Sequence, residues 1–427
     1  MTSEISFGDA AELRVDRIDP RKVPYAKYVG LEHIEPGTLR LSGVGLASDV
    51  DSQKQRFQEG DILFGKLRPY FRKVVIAPFD GVCSTDIWVV KPNDGFDRDF
   101  IFYWMASAEF IASSTYASEG SRMPRAKWDW VQRFKLPYLP ESGQRTLGST
   151  LRTLDLKIEA NISKSKTLES IAQTLFRSWF VDFDPVRAKM AGEKPVGMDD
   201  ATAALFPDSM EQSELGEIPA GWVVEDLSEH LAVQKGKSYR SADLADSRTA
   251  LVTLKSFKRG GGYRADGLKP YVGDYKPEQL VSPGDLVVAY TDVTQAGDII
   301  GKPAIVEPNP AFDVLVASLD VGIVTPRAES VNKSYLYNLF LQNDFQNHIA
   351  SHSSGTTVLH LSRSAVESFK VPVPSQDVML AFGRVAEPIL QLKRALGIES
   401  SSLANLRDSL LPRLISGELQ IPEDLVA

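Results

Sequence analysis

The phrase "FKVPVPS" occupies residues 369–375, and "FKLPYLP" occupies residues 134–140, 235 positions earlier. The match extends outward from these words. At the same offset Gly120 in "SEGSRMP" falls on Gly355 in "SSGTTVL", and Leu168, Ile171 and Leu175 fall on Leu403, Leu406 and Leu410. Upstream the offset changes slightly: "EGDILFGK" (59–66) pairs with "PGDLVVAY" (283–290) at 224, and "CSTDIWVVKP" (83–92) pairs with "ASLDVGIVTP" (317–326) at 234. Order is kept and only loop lengths differ. The period far exceeds the roughly 20–50 residues of a solenoid repeat. It predicts a duplicated unit of a domain followed by a helix.

The first part of each copy holds short apolar runs bounded by turn formers: "DILFG", "KVVIAP" and "DIWVVKP", then "DLVVAY", "PAIVEP" and "VGIVTP". Such runs read as strands. "RDFIFYWMASAEFIAS" and "KSYLYNLFLQNDFQNHIAS" each read as one amphipathic helix. The fold class is therefore α+β, twice over. The second part is a long helix. Apolar positions step by four and three through Leu147, Leu151, Leu154, Ile158, Asn161, Ser165, Leu168, Ala172, Leu175 and Trp179. In the second copy they run Val385, Ile389, Leu392, Leu396, Glu399, Leu403, Leu406, Leu410 and Leu414. This is the spacing of a coiled-coil seam, with polar members near the middle that can fix register. Pro388 is expected to kink or delay the second helix. Two such helices either pack antiparallel as a spacer between the two α+β domains, or each folds back onto its own domain.

The 427 residues exceed one ordinary core. Hydrophobic content of 43% and charged content of 24% fit a globular protein. The single cysteine, Cys83, excludes an intramolecular disulfide framework and fits a reducing cytoplasm. No basic segment followed by an apolar run opens the chain, so no secretory signal is expected, and no run reaches the ~18 apolar residues of a membrane span. A net charge of −8 excludes a histone-like basic coat. It leaves room for local basic patches, because a site's field is set within roughly 10 Å.

Catalytic patterns are weak. His348 and His352 stand at i, i+4 near His360, but no H-E-x-x-H frame surrounds them, and no metal site is expected. Asp182 and Asp184 flank Phe183 just before Pro185, a turn rather than a carboxylate pair. "NPAF" at Asn309 lacks the second proline of an amino-methyltransferase loop, and "GDIIGK" (297–302) is too short for a phosphate loop. The chain reads as non-catalytic. What stands out is basic and polar loops. The first copy offers Lys66, Arg68, Tyr70 and Arg72, then Arg122, Arg125 and Lys127. The second offers Lys235, Lys237, Tyr239 and Arg240, Lys258, Arg259 and Arg264, Thr291, Thr294 and Gln295, and Ser353, Ser354, Thr356 and Thr357. Any one charge is ordinarily a solvated face. Clustered at matching places in two copies, these residue types suit phosphate and base contacts.

With its duplicated "GDILFGKLRP…CSTDIWVV…GSRMPRAKWDWVQRFKLPYLP" and "GDLVVAYTDVTQ…SSGTTVLHLSRSAVESFKVPVPS" blocks, and helix ends "LESIAQTLFRSWFVDFDPVRAKMAGE" and "LRDSLLPRLISGEL", the chain resembles the specificity subunit of type I restriction-modification enzymes. One departure is that the usual "EQ" before the long helix appears as "ESGQ" (141–144) and "SQD" (375–377). The resemblance implies target-recognition domains at 1–140 and 216–374, spacer helices at 141–190 and 375–427, and a linker at 191–215. Each domain would read one half of a bipartite, asymmetric double-stranded DNA site. The antiparallel helices would set the gap and dock two methyltransferase subunits carrying S-adenosylmethionine. Two restriction subunits would use ATP and Mg. The chain would hold no cofactor of its own and work in the cytoplasm. The alternatives are a self-contained two-lobed nuclease and a plain protein adaptor.

Overall fold

The structure is a computed structural model describing residues 4–116, 118, 119, 122–294, 296–328 and 331–419. The chain forms two compact units, one of residues up to 162 with those from 398 onward, the other of residues 163–397.

In the first unit a four-stranded antiparallel sheet runs in the order Ala11–Leu13, Ile87–Pro92, Ile62–Gly65, Val74–Ile76. In the second unit the order is Leu231–Lys235, Val321–Pro326, Leu286–Ala289, Pro303–Ile305, again antiparallel. These are the repeated words of the sequence in the same order. Ile62, Leu63 and Phe64, like Leu286, Val287 and Val288, are buried on both faces. This explains why they read as continuous apolar runs and not as alternating ones. Each unit adds a second, mixed sheet with one parallel pair, Lys27–Val29 with Gly81–Cys83 and Thr249–Val252 with Val314–Ala317.

The opening phrase closes each domain. Lys135–Pro137 pairs antiparallel with Glu4–Ser6, and Lys370–Val373 pairs with Val223–Asp226. The carbonyl of Phe134 accepts the Phe7 amide at 2.8 Å, and the carbonyl of Phe369 accepts the Leu227 amide at 2.9 Å. Leu136 and Val371 point into the cores. The prolines then free the chain from the ladder just before each long helix.

The single amphipathic helix expected in each copy is two. Arg98–Ala106 gives way to Ala108–Tyr116 at Ser107, whose backbone is extended and whose Oγ accepts the Phe110 amide at 3.2 Å. Lys333–Phe340 gives way to Asn343–Ser351 at the extended Gln342. At Ser107 a short polar side chain that takes a following amide offers the backbone an exit from the helix.

The long helices are Glu141–Phe180 and Gln376–Ile415. The helix read over residues 141–190 ends at Phe180. Phe183, with φ of 56°, turns the chain into a separate helix, Asp184–Met190, with Pro185 in its first turn where a missing amide costs nothing. The following stretch is packed down: Phe206 meets Trp179 with ring centroids 5.1 Å apart, and Trp222 meets Phe183 at 5.7 Å. Pro388 neither breaks nor delays the second helix; it sits exposed within it.

The helices pack on each other within both units, and the pairing is antiparallel. In the first unit Leu147 and Leu151 share a core with Leu411, Leu414 and Ile415. Further along, Asn161 donates to Glu399 at 2.8 Å, so one polar seam residue of each helix meets the other. In the second unit Phe176, Trp179 and Phe180 surround Phe382. The seam of the second helix needs correction. Val385, Leu392 and Leu406 are 45%, 46% and 45% exposed, while Phe382, Leu396 and Arg407 are buried. Counting apolar residues could not find Arg407, which is 3% exposed and holds its place through ion pairs to Asp155 at 2.6 Å and Asp408 at 2.8 Å.

A tyrosine repeated at offset 234 fixes each domain to both helices. Tyr103 donates to Asp155 of the first helix at 2.5 Å, and Asp155 in turn pairs with Arg407 of the second. Tyr337 donates to Glu169 of the first helix at 2.7 Å, and Glu169 pairs with Lys393 of the second at 2.6 Å. In both places burial and the neighbouring carboxylate push the phenol well above its ordinary pKa, so each remains a donor.

Candidate nucleic-acid interface

In the first unit the chain leaves the central strand Ile62–Gly65 into Lys66, Leu67 and Arg68. Leu67 bridges to Arg125, the Ala126 amide donates to the Lys66 carbonyl at 2.9 Å, and the Arg68 amide donates to the Pro124 carbonyl at 2.8 Å. Two loops far apart in sequence thus become one surface. Arg125 belongs to a two-stranded ribbon, Ser118–Glu119 with Arg125–Ala126.

Asp86 stands at the centre, immediately before the strand Ile87–Pro92. Its carbonyl accepts the Lys66 amide at 2.9 Å, and its carboxylate takes Arg125 in a two-pronged pair, Nε at 2.7 Å and Nη2 at 3.0 Å. Burial pushes the Lys66 ammonium below its ordinary pKa; Asp86 opposes this, and the cationic Arg125 and Arg17 add to it. Asp86 in turn holds the Arg125 guanidinium above its ordinary pKa. The side chain of Arg68 donates to the Arg122 carbonyl at 3.0 Å. Lys66, Arg68, Arg122 and Arg125 therefore come together. Tyr70 is exposed nearby, its ring 4.8 Å from Phe71. Lys127 is exposed at the start of the helix Trp128–Val131. Arg72 turns inward and donates to the Ala106 carbonyl at the end of a domain helix at 3.3 Å, which is a structural position.

The second unit repeats the frame with other side chains. Tyr290 follows the strand Leu286–Ala289 as Lys66 follows its own. Its amide donates to the Asp320 carbonyl at 2.8 Å, and its carbonyl accepts the Leu361 amide at 2.9 Å. Asp320 is the counterpart of Asp86, but its carboxylate accepts the Thr291 hydroxyl at 2.8 Å. The position of Arg125 is filled by His360, which pairs with both Thr291 and Ser354 in a three-stranded sheet. Lys235 lies 4.5 Å over the Tyr290 ring. Burial and Arg363 push its ammonium below the ordinary value, and Asp320 opposes them. Lys237 bridges to Ser318.

This sheet gathers Thr291, Ser353 and Ser354, with Thr356 and Thr357 exposed in the turn between two of its strands. Thr294 accepts the Asp298 amide at 3.0 Å, and Arg259 pairs with Asp298 at 3.6 Å. This draws the glycine-rich loop of Lys258 and Arg259 toward the same place. Tyr239 accepts from Lys269 at 2.8 Å, the Arg240 amide donates to Asp243 at 2.7 Å, and Arg264 pairs with Asp266 at 2.6 Å. Gln295 lies outside the described residues. The residues that sequence reasoning missed are Arg17, Asp86, Asp320, His360 and Arg363. The repeat at offset 234 was the available signal for the two aspartates.

Among the described residues no group of three His, Cys, Asp or Glu side chains is placed to hold a metal ion, and no helix is long and apolar enough to cross a membrane.

The fold and its loops define a class: a chain of two copies of one α+β domain, one with a basic surface around Asp86 and the other with a hydroxyl-bearing surface beside Asp320, and with two long helices that pair. No family model matches the chain. Among known proteins it is similar to the type I restriction enzyme HindI specificity subunit of Haemophilus influenzae, 25% identical over 97% of this chain and 99% of that one. It is also similar to the MjaIX specificity subunit of Methanocaldococcus jannaschii, 23% identical over 86% of this chain and 79% of the relative. It shares its fold with the type I restriction-modification S subunit of M. genitalium, with a TM-score of 0.52 at 14% identity over 97% of this chain and 96% of that one. The chain is thus similar to type I restriction enzyme specificity subunits along nearly its whole length.

Proposed function

We propose that this chain is the sequence-specific DNA-recognition subunit of a type I restriction-modification complex and catalyses nothing itself. Each α+β domain reads one half of a bipartite, asymmetric site, and the paired helices set the spacing of the halves. The observation that carries this is the frame built twice around Asp86 and Asp320, with different side chains in each copy. A shared scaffold with unlike loops suits two different half-sites. The exposed Val385, Leu392 and Leu406 on the second helix offer apolar ground for methyltransferase subunits. Two of these would bring S-adenosylmethionine and flip the target adenine out of the duplex. Two restriction subunits would bring ATP and Mg, and the assembly would work in the cytoplasm.

The test is to assemble the chain with its methyltransferase subunits and map modified adenines by long-read sequencing. A two-part asymmetric motif is expected. Methylation or cleavage of DNA by the purified chain alone would refute the reading in favour of a two-lobed nuclease or methylase, as would a single continuous motif.

A further inference from the structure

We infer that Asp86 is a positioning residue that makes Arg125 a reader of guanine in the half-site handled by the first unit. The inference rests on the DNA-recognition function proposed above and adds to it a base and a mechanism.

A guanidinium has five N–H donors in a rigid fork. Asp86 occupies Nε and one hydrogen of Nη2. Among the described residues nothing else bonds the end of the fork, Nη1 and the outer hydrogen of Nη2, which presents two parallel donors. That is the geometry that meets O6 and N7 of guanine in the major groove. The carrier is suitable, since a two-stranded ribbon fits the major groove and Arg125 lies on one.

The support is rigid too. Asp86 is held at both ends of its backbone, its amide by Ser84 Oγ at 3.2 Å and its carbonyl by the Lys66 amide at 2.9 Å. The Arg125 side chain is 44% exposed and Asp86 24%, so the pair stands at the surface with the arginine outermost. Holding the fork in place beforehand removes the disorder that base contact would otherwise have to overcome.

A site built only to grip phosphate would gain nothing from a carboxylate among Lys66, Arg17 and Arg125. A site built to aim an arginine needs one. The second unit is the internal comparison: Asp320 holds Thr291 there and His360 stands at the arginine's position, so the guanine reading belongs to the first unit alone.

Asp86→Asn, Asp86→Ala, Arg125→Lys and Asp320→Asn chains are assembled with the methyltransferase subunits, and modified adenines are mapped. Melting temperature and assembly are measured alongside. In the Asp86 and Arg125 variants one position of one half-site is expected to change from guanine to a mixture, with discrimination falling about ten-fold or more. The other half-site stays intact; non-specific DNA affinity is held or raised in the Asp86 variants, where a negative charge is gone, and held in Arg125→Lys, where the charge is unchanged. Asp320→Asn leaves that guanine in place. The inference is overturned if the Asp86 variants fold and assemble yet keep the motif unchanged, or lose modification evenly across it. Absence of any two-part motif with the unaltered chain would instead sink the recognition function itself.

Discussion

Asp292, between the candidate residues Thr291 and Thr294, serves to hold a loop. Its carboxylate is fully buried and accepts amides from Thr294 and Ile299 at 2.6 Å and from Ile300 at 3.0 Å. Burial raises its pKa, but these bonds outweigh it and leave the native value below the ordinary one. The unfolded chain thus takes up a proton before the native one does. The contribution to stability is complete above the unfolded pKa and is lost as pH falls through the native value. Asp292→Asn is expected to cost about 1–3 kcal/mol at neutral pH and to flatten the acid limb of stability; urea titrations at several pH values would show both. An unchanged midpoint at neutral pH would mean that the loop organises itself without the carboxylate. The same residues show where the sequence stops. Basic and hydroxyl clusters such as "GSRMPR" and "SHSSGTTVLH" were legible as clusters. Asp86 and Asp320 were not, because an aspartate ahead of a strand reads as a turn residue and only the fold shows whose side chain it holds.

Glycine inside a long helix ordinarily weakens it, and replacement by alanine ordinarily gains up to about 1 kcal/mol. Gly148 and Gly383, one in each long helix and 235 residues apart, should behave in the opposite way. A Cβ on Gly148 would stand 2.7 Å from Asp97 Oδ1 and 2.9 Å from the Phe100 amide nitrogen, and one on Gly383 would stand 2.7 Å from Asn332 Nδ2. Asp97 and Asn332 are the N-caps of the equivalent domain helices. Each glycine is therefore the seat on which a domain helix begins. Gly148→Ala is expected to destabilise the first unit, by about 1–3 kcal/mol as for other overpacked sites, in thermal or denaturant unfolding; a rise in stability would refute the close approach. The buried Asp155–Arg407 pair makes a second element-scale prediction. Asp155→Ala leaves Arg407 buried beside the exposed Asp408 alone and should cost about 3–5 kcal/mol, whereas Asp155→Ala with Arg407→Leu should recover much of it. If the double variant were no better than the single one, the penalty would not be an unpaired charge. The helices themselves were legible from spacing. The seam of the second was misread because it runs through Arg407, whose long apolar stem packs while its charge finds partners, a choice that apolar periodicity does not record.

At the scale of the whole chain, duplication is what the sequence displayed best. The five blocks kept in order predicted one unit built twice, and the two antiparallel sheets, one in each unit, share a strand order. Duplication also reconciles a net charge of −8 with binding to a polyanion. The positive field is local, with Lys66, Arg17, Arg68 and Arg125 around one carboxylate in the first unit, and Lys235, Lys237 and Arg363 around the other in the second. Few phosphate contacts follow, so affinity should fall with salt along a shallow slope set by their number. The two surfaces differ in their side chains while the sheets beneath them match, so they should be separable. Replacing residues 216–373 by the corresponding segment of a relative exchanges Lys235, Thr291 and the 353–357 turn while leaving Asp86 and Arg125 untouched. Modified adenines mapped from such a chimaera, assembled with its methyltransferase subunits, should report a motif with one new half and one old half at the same spacing. A chimaera that assembles and methylates but alters both halves would mean that the two surfaces do not read independently, and that their resemblance is structural inheritance without a division of labour.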